Sequence, residues 1–302
     1  MNEVLYACRC VQFTAAMLIF GTAAFRIYAL AGSDDRLASN MLARFDACFG
    51  QVLLISAVIA LISAIALLPC QAAEMAGSSA AAMDLTAVGA VLFDTRFGRV
   101  WRWHLLLAVM LVLVCLYRQP KRPAVFILSL GLLASLAWVG HAAMDEGAAR
   151  IGHELNQTGH LLGAGLWLGG LAPLAWLLRK TRQLPEEISL LSVALRNFSH
   201  MGYAAVALIA LTGAVNTLLL VGSLGALLGT AYGHLLAVKM LLFITMVGVA
   251  SINRFHLASR ISDEPSTLGA LSCTVAFEQS LGLAVLAVVS VLGTWPPAIY
   301  GH

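Results

Sequence analysis

Leu155-Asn156-Gln157-Thr158-Gly159-His160-Leu161-Leu162-Gly163-Ala164-Gly165-Leu166-Trp167-Leu168-Gly169-Gly170-Leu171-Ala172-Pro173-Leu174-Ala175-Trp176-Leu177-Leu178 runs for 24 residues without a charged side chain. A helix needs about 20 mostly apolar residues to cross the hydrocarbon core of a bilayer, so this stretch reads as a transmembrane helix. Gly159 and Gly163 are four apart, as are Gly165 and Gly169. That spacing lets neighbouring backbones approach closely, which predicts a central place in a bundle and puts His160 inside protein, away from lipid.

Seven similar runs surround it. The eight spans fall at roughly 5–31, 48–73, 99–117, 124–143, 155–178, 198–221, 234–257 and 272–294. Charged or proline-bearing loops separate most of them, such as Gln119-Pro120-Lys121-Arg122-Pro123 and Leu184-Pro185-Glu186-Glu187. The 302 residues are 60% hydrophobic and 11% charged, with a mean hydropathy of +0.88. Soluble domains carry about 25% charged residues, so a soluble enzyme, a disordered chain and a nucleic-acid binder are excluded. Alternating strand patterns are absent, which argues against a β-barrel. The expected fold is an all-α bundle of eight transmembrane helices, forming one domain over 1–302 embedded in the lipid bilayer. The first run reads as an uncleaved helix, because Asn2 and Glu3 precede it where a signal peptide has basic residues. Between spans 2 and 3, Asp84 to Asp94 places apolar residues at helical spacing but is too short to span, which predicts a helix lying on the surface.

Basic residues set the orientation. Arg36, Arg44, Arg118, Lys121, Arg122, Arg179, Lys180, Arg182, Arg196, Arg254 and Arg260 follow odd-numbered spans. Arg9, Arg96, Arg99, Arg102 and Arg150 lie on the other side. The first side is expected to be cytoplasmic, with both termini outside, which in a bacterium means the periplasm. The outer side also carries Glu3, Glu74, Asp84, Asp94, Asp145, Glu146 and Glu154, an acidic surplus that favours cations.

Six of the eight histidines fall on that outer side: His104, His141, His153, His160, His234 and His302. A polar side chain within a span is costly and marks function by default, and neutral imidazole binds metals. His153 and His160 are seven residues apart on one helix face, about 10 Å along the axis, which suits two stations on a path. Met144 follows His141 by three, and a thioether beside an imidazole suits copper. The candidate metal residues are therefore His141, His153, His160 and Met144. His104, His234, Glu154, Glu74 and Trp167 are accessory candidates. Glu278, His200, His256 and Asn253 form a possible polar path on the inner side. Single interfacial histidines also serve as anchors or caps, and Lys239 is expected to snorkel outward. Cys8, Cys10 and Cys70 near the outer ends read mainly as small packing residues.

Several segments resemble the CopD copper-resistance family. They are Gly140-His141-Ala142-Ala143 with His160 to Leu171; Asp94 to Trp101; Leu211 to Asn216; Tyr232-Gly233 with Lys239; Asn253-Arg254; Glu278; and Leu292 to Ala298. The resemblance covers most of the chain. It implies an eight-helix inner-membrane protein that works with a periplasmic copper binder of CopC type and moves copper inward. It also implies that His141, His160 and Trp167 form the core outer motif. His234 departs from the basic residue of the family pattern. No CopC-like domain is fused, so such a partner is expected to be a separate chain.

The expected function is copper homeostasis without enzymatic activity. The copper ion is Cu(I) or Cu(II), taken up through the outer histidines. Two alternatives stand beside it: a haem-carrying electron-transfer protein with bis-His ligation, and a membrane receptor that docks a copper carrier without transport.

Overall fold

The computed structural model describes residues 2–32, 36–117, 121–140, 147–184, 188–261 and 267–300. Among them there is no strand, and eight helices are long and apolar enough to span a membrane. Lipid offers backbone groups no water, so spanning segments must close their own hydrogen bonds as helices do.

Helix α1 (Asn2–Ala24) ends in a π-helical turn, Phe25–Ala29. Helix α2 (Arg36–Ala76) follows, then the short α3 (Leu85–Asp94), α4 (Arg96–Leu116) and α5 (Arg122–Ser135). The second half runs α6 (Gly147–Gln183), α7 (Ile188–Leu220), the short α8 (Leu224–Gly229), α9 (Ala231–Ile252) and α10 (Thr267–Leu292). The surface helix expected after span 2 is present as α3, capped by Asp84, whose Oδ1 accepts from Thr86 N at 2.9 Å.

The two halves follow one plan: two long helices, a short one, then two spans. The joints match chemically. Thr95 caps α4 by accepting from Gly98 N at 3.0 Å, and Thr230 caps α9 by accepting from Gly233 N at 3.0 Å. A Cβ on Gly98 would strike the carbonyls of Val91 and Leu92, and one on Gly233 those of Ala226 and Leu227. Each glycine thus lets a short helix fold back against the span that follows it. The sequence carries this joint twice, as Thr95-Arg96-Phe97-Gly98 and Thr230-Ala231-Tyr232-Gly233.

The halves meet at α1 and α6. A Cβ on Gly21 would fall on the backbone of Gly165 and Gly169, and one on Gly169 on the carbonyl of Met17. The contact is reciprocal, as across a two-fold axis. On α6, Gly163 faces α7, where an added Cβ would lie 3.2 Å from Ala205 O and 3.1 Å from Ile209 Cγ1. The glycines thus serve two faces, and α6 packs on α1, α5, α7 and α10. It is central, as its sequence predicts.

Helix ends differ from the sequence expectation. The expected spans 2 and 5 lengthen into α2 and α6, and α6 at 37 residues extends about 55 Å against a core of about 30 Å. Hydropathy stops at the first charges, whereas a helix continues wherever its polar residues reach water. The expected span 4 instead leaves the α-helix at Ser135 and tightens into the 3-10 turn Leu136–Val139.

The end of the bundle opposite α3 and α8 is held by aromatic stacking and charge. Phe25, Phe45, Phe49, Trp176 and Phe198 form a linked cluster. Asp46 accepts from Arg26 at 2.7 Å and from Arg122 at 2.8 Å, tying α1, α2 and α5.

Gly169→Ala is expected to lower stability by about 1–3 kcal/mol through overpacking. Gly248→Ala, with nothing within 4 Å of its Cβ, should stay within about 0.5 kcal/mol of the parent. Unfolding in mixed micelles with increasing SDS measures both.

Candidate functional site

His160 lies buried in α6, held by α7. Thr212 Oγ1 donates to Leu208 O at 2.5 Å, so its lone pair accepts Nδ1–H of His160 at 3.0 Å. That bond fixes the tautomer and leaves the Nε2 lone pair available. Lys239 Nζ of α9 stands 3.5 Å from that nitrogen. The expected outward reach of Lys239 is therefore not what occurs: its amine turns inward, where imidazole offers an acceptor.

Three cavities adjoin along α6. The first, of about 110 Å³ toward the α3/α8 end, is lined by Arg9, His153, Gln157, Asn216 and Lys239 among others. The second, of about 300 Å³, holds His160, Met240 and Met246 and shares Gly213, Thr217, Leu236 and Lys239 with the first. The third, of about 280 Å³, contains Asn253, Glu278 and Tyr203 and shares Trp167 with the second. Lys239 and Trp167 are thus the two partitions. Trp167 is buried and meets Phe243 edge to face at 6.1 Å.

Polarity changes along this series. The first cavity has two basic side chains and no Asp or Glu among its described lining residues. The third has both Arg254 and the Glu278 carboxylate on its wall, and the carboxylate accepts from Asn253 Nδ2 at 3.0 Å. Asn253 Oδ1 is buried there without a hydrogen-bond partner. A carboxylate beside an unsatisfied carbonyl is an arrangement that suits a cation.

His104 belongs to a separate cluster in the first half. Ser135 Oγ donates to Leu132 O at 2.7 Å and accepts His104 Nδ1–H at 2.7 Å. Gln12 Nε2–H donates to His104 Nε2 at 2.8 Å, and Ser63 Oγ–H donates to Gln12 Oε1 at 2.5 Å. Both imidazole nitrogens are engaged, and Trp101 stacks on the ring at 4.5 Å. Trp101 is buried, with its Nε1–H on Ala64 O at 3.0 Å. Trp103, two residues on, is exposed instead.

The sequence-predicted residues are thus partly brought together. His153 and His160 are both buried and open to adjoining cavities. Glu278, Asn253 and Trp167 share the third cavity. His200 and His256 are exposed and outside its lining. His234 is exposed and bonded through Nε2 to Leu228 O at 2.7 Å. Glu154 is paired with Arg96, with Arg150 at 3.9 Å, and Glu74 is exposed near the end of α2. His141 and Met144 lie outside the described residues. Among the described residues, no three His, Cys, Asp or Glu side chains converge on one metal position. The six cysteines carry no disulfide.

Sequence reasoning passed over Arg9, Thr212 and Met246. The last was legible, because Met246 follows Lys239 by seven residues and so shares its helix face.

A multi-pass α-helical membrane protein with a histidine set in a chain of buried cavities is the class defined so far. The description "copper resistance protein D-like, N-terminal domain" matches residues 1–151, and "copper resistance protein D" matches residues 192–292. The chain belongs to the copper resistance protein D family. It is 32% identical to inner membrane protein YebZ of Escherichia coli K12, over 96% of this chain and 97% of that one. Identity to copper resistance protein D of Pseudomonas syringae pv. tomato is 30% over 96% of each chain. Copper transport protein CutJ of Bacillus subtilis is 29% identical over 98% of this chain and 53% of its own length. No solved structure matches the chain.

His104→Ala is expected to destabilise the protein by about 1–3 kcal/mol, because Gln12 and Ser135 lose buried partners. The exposed His200→Ala should be near neutral. Thermal unfolding in detergent compares the two.

Proposed function

We propose that the protein carries copper across the bacterial inner membrane through the second half of the bundle, with His160 as the central ligand. The observation that supports this most is the His160 Nε2 lone pair, left unprotonated by the Thr212 bond, contacted by the Lys239 amine at the long distance of 3.5 Å, and set on a cavity that also holds Met246. A neutral imidazole with thioethers nearby suits Cu(I). The distribution of Lys and Arg supports a periplasmic position for both termini and the α3/α8 end. Copper then enters near His153, with His141 and Met144 as candidate capture residues from the sequence, and reaches His160 as the Lys239 amine gives way. It continues past Trp167 to the Glu278–Asn253 cavity on the cytoplasmic side. No covalent chemistry is needed.

His104 has no part in metal binding on this reading, since both its nitrogens are engaged. Glu154 serves structure by holding α4 to α6. Inward delivery matches a supply from a separate periplasmic copper carrier of CopC type. The bis-His haem reading gains no support, because the described histidines do not meet across a cavity. A docking receptor has no use for three adjoining cavities, so transport is the better reading.

His160→Ala is expected to abolish copper-dependent accumulation in cells, while His104→Gln, where it folds, retains it. Thr212→Val should weaken copper binding about 10–100-fold, as loss of an orienting bond to a ligating histidine does. Cellular copper content and competition with a Cu(I) chelator measure these. Normal accumulation in His160→Ala would show the route to be wrong.

A further inference from the structure

Cys8 of α1 and Cys70 of α2 meet near the α3/α8 end of the bundle. The Ser63–Gln12 hydrogen bond fixes the register of these two antiparallel helices. Toward the α3/α8 end, Cys8 lies one turn from Gln12 and Cys70 two turns from Ser63, each on the helix face of its reference residue. Cys70 is buried in the core cluster, and the half-buried Cys8 packs against that cluster. The two thiols are in side-chain hydrogen-bond contact, and neither is in a disulfide. Glu74, one turn beyond Cys70 and exposed, is close enough for its charge to act on Cys70. Cys10 stands two residues after Cys8, about 200° round the helix, and so lies on another face.

The chemistry of such a pair is selective. Zn(II) takes four ligands, whereas Cu(I) is a soft, closed-shell ion that thiolates select and that two sulfurs hold in a near-linear arrangement. The apolar cluster around Cys70 limits the access of water to an ion bound there. The pair joins α1 to α2, so a bound ion bridges two helices of the first half.

We propose that Cys8 and Cys70 form a two-coordinate Cu(I) site at the α3/α8 end of the first half. On binding, both S–H bonds break, two Cu–S bonds form and two protons pass to water, because a ligating thiol must be deprotonated. Copper stays Cu(I), and nothing is oxidised. The exposed Glu74 carboxylate draws the cation toward the pair. Binding itself stands apart from the His160 route. Its role as a loading station for that route rests on the copper reading above.

The test uses the purified full chain in detergent, held anaerobic with ascorbate, in a His160→Gln background so that the imidazole site is silent. Copper per chain, competition with a Cu(I) chelator and X-ray absorption are the readouts. The background protein is expected to show sulfur scattering. Cys8→Ser/Cys70→Ser should remove it together with one copper. Either single serine variant should weaken Cu(I) binding at least about 10-fold, since it loses one of two ligands. Cys10→Ser should leave all three readouts unchanged. Cys70→Ala replaces Cys70→Ser if the serine variant lowers the Tm sharply. Unchanged copper content and sulfur scattering in the folded double variant overturns the proposal, as does recovery of Cys8 and Cys70 as a disulfide from the copper-loaded chain. Loss of this copper in Cys10→Ser overturns the assignment to the pair. Failure here leaves the His160 route standing, and normal copper accumulation in His160→Ala leaves the thiol site standing.

Discussion

The contact between α1 and α6 at Gly21, Gly165 and Gly169 is the constraint on which the rest depends. In a bilayer, helices gain little from hydrophobic burial against each other, so close backbone packing must hold them. At this crossing no Cβ fits on either side. The approach seats α6 in the middle of the molecule, where one face meets α1 and another meets α7. His160 lies nine residues before Gly169, and Gln12 lies nine before Gly21. The crossing therefore sets the place of both polar clusters at once.

The two clusters occupy equivalent positions in their halves but have different fates. In the first half Gln12 of α1 meets His104 of α4; in the second His160 of α6 meets Lys239 of α9. His104 and Lys239 each stand nine residues after the threonine that caps their helix. The Gln12–His104 pair is closed by Ser63 and Ser135, and its hydrogen bonds cement the helices. The His160–Lys239 pair is longer and opens onto cavities on both sides. One plan thus yields a locked half and an accessible half.

Much of the fold was legible in the sequence because the bilayer imposes a length and a polarity on every span. Eight runs, the surface helix α3 and the central α6 follow from that alone. Helix ends were less legible, since α2 and α6 continue past their charged residues into water. The site was legible only in part. His153, His160, Trp167, Asn253 and Glu278 announce themselves as polar or aromatic groups in apolar helices. His104 does so equally, yet its partners Gln12 and Ser135 come from distant helices, and only packing reveals that its nitrogens are spent. Lys239 could be placed on α9 but not aimed, because its direction depends on His160 across the interface. The joint made by Thr95 to Gly98 and repeated by Thr230 to Gly233 was open to a search for internal repeats. The family match to residues 192–292 falls within the second half, and the match to 1–151 covers the first half and the start of α6.

The central claim is that one imidazole, oriented by Thr212 and facing a cavity, is the copper ligand within the membrane. X-ray absorption of the copper-loaded full chain, with copper counted per protein, tests it most directly. The account predicts an imidazole scattering signature that disappears in His160→Gln together with at least one bound copper, and that persists in a folded His104→Gln protein. The same copper content and the same imidazole signature in His160→Gln would contradict it.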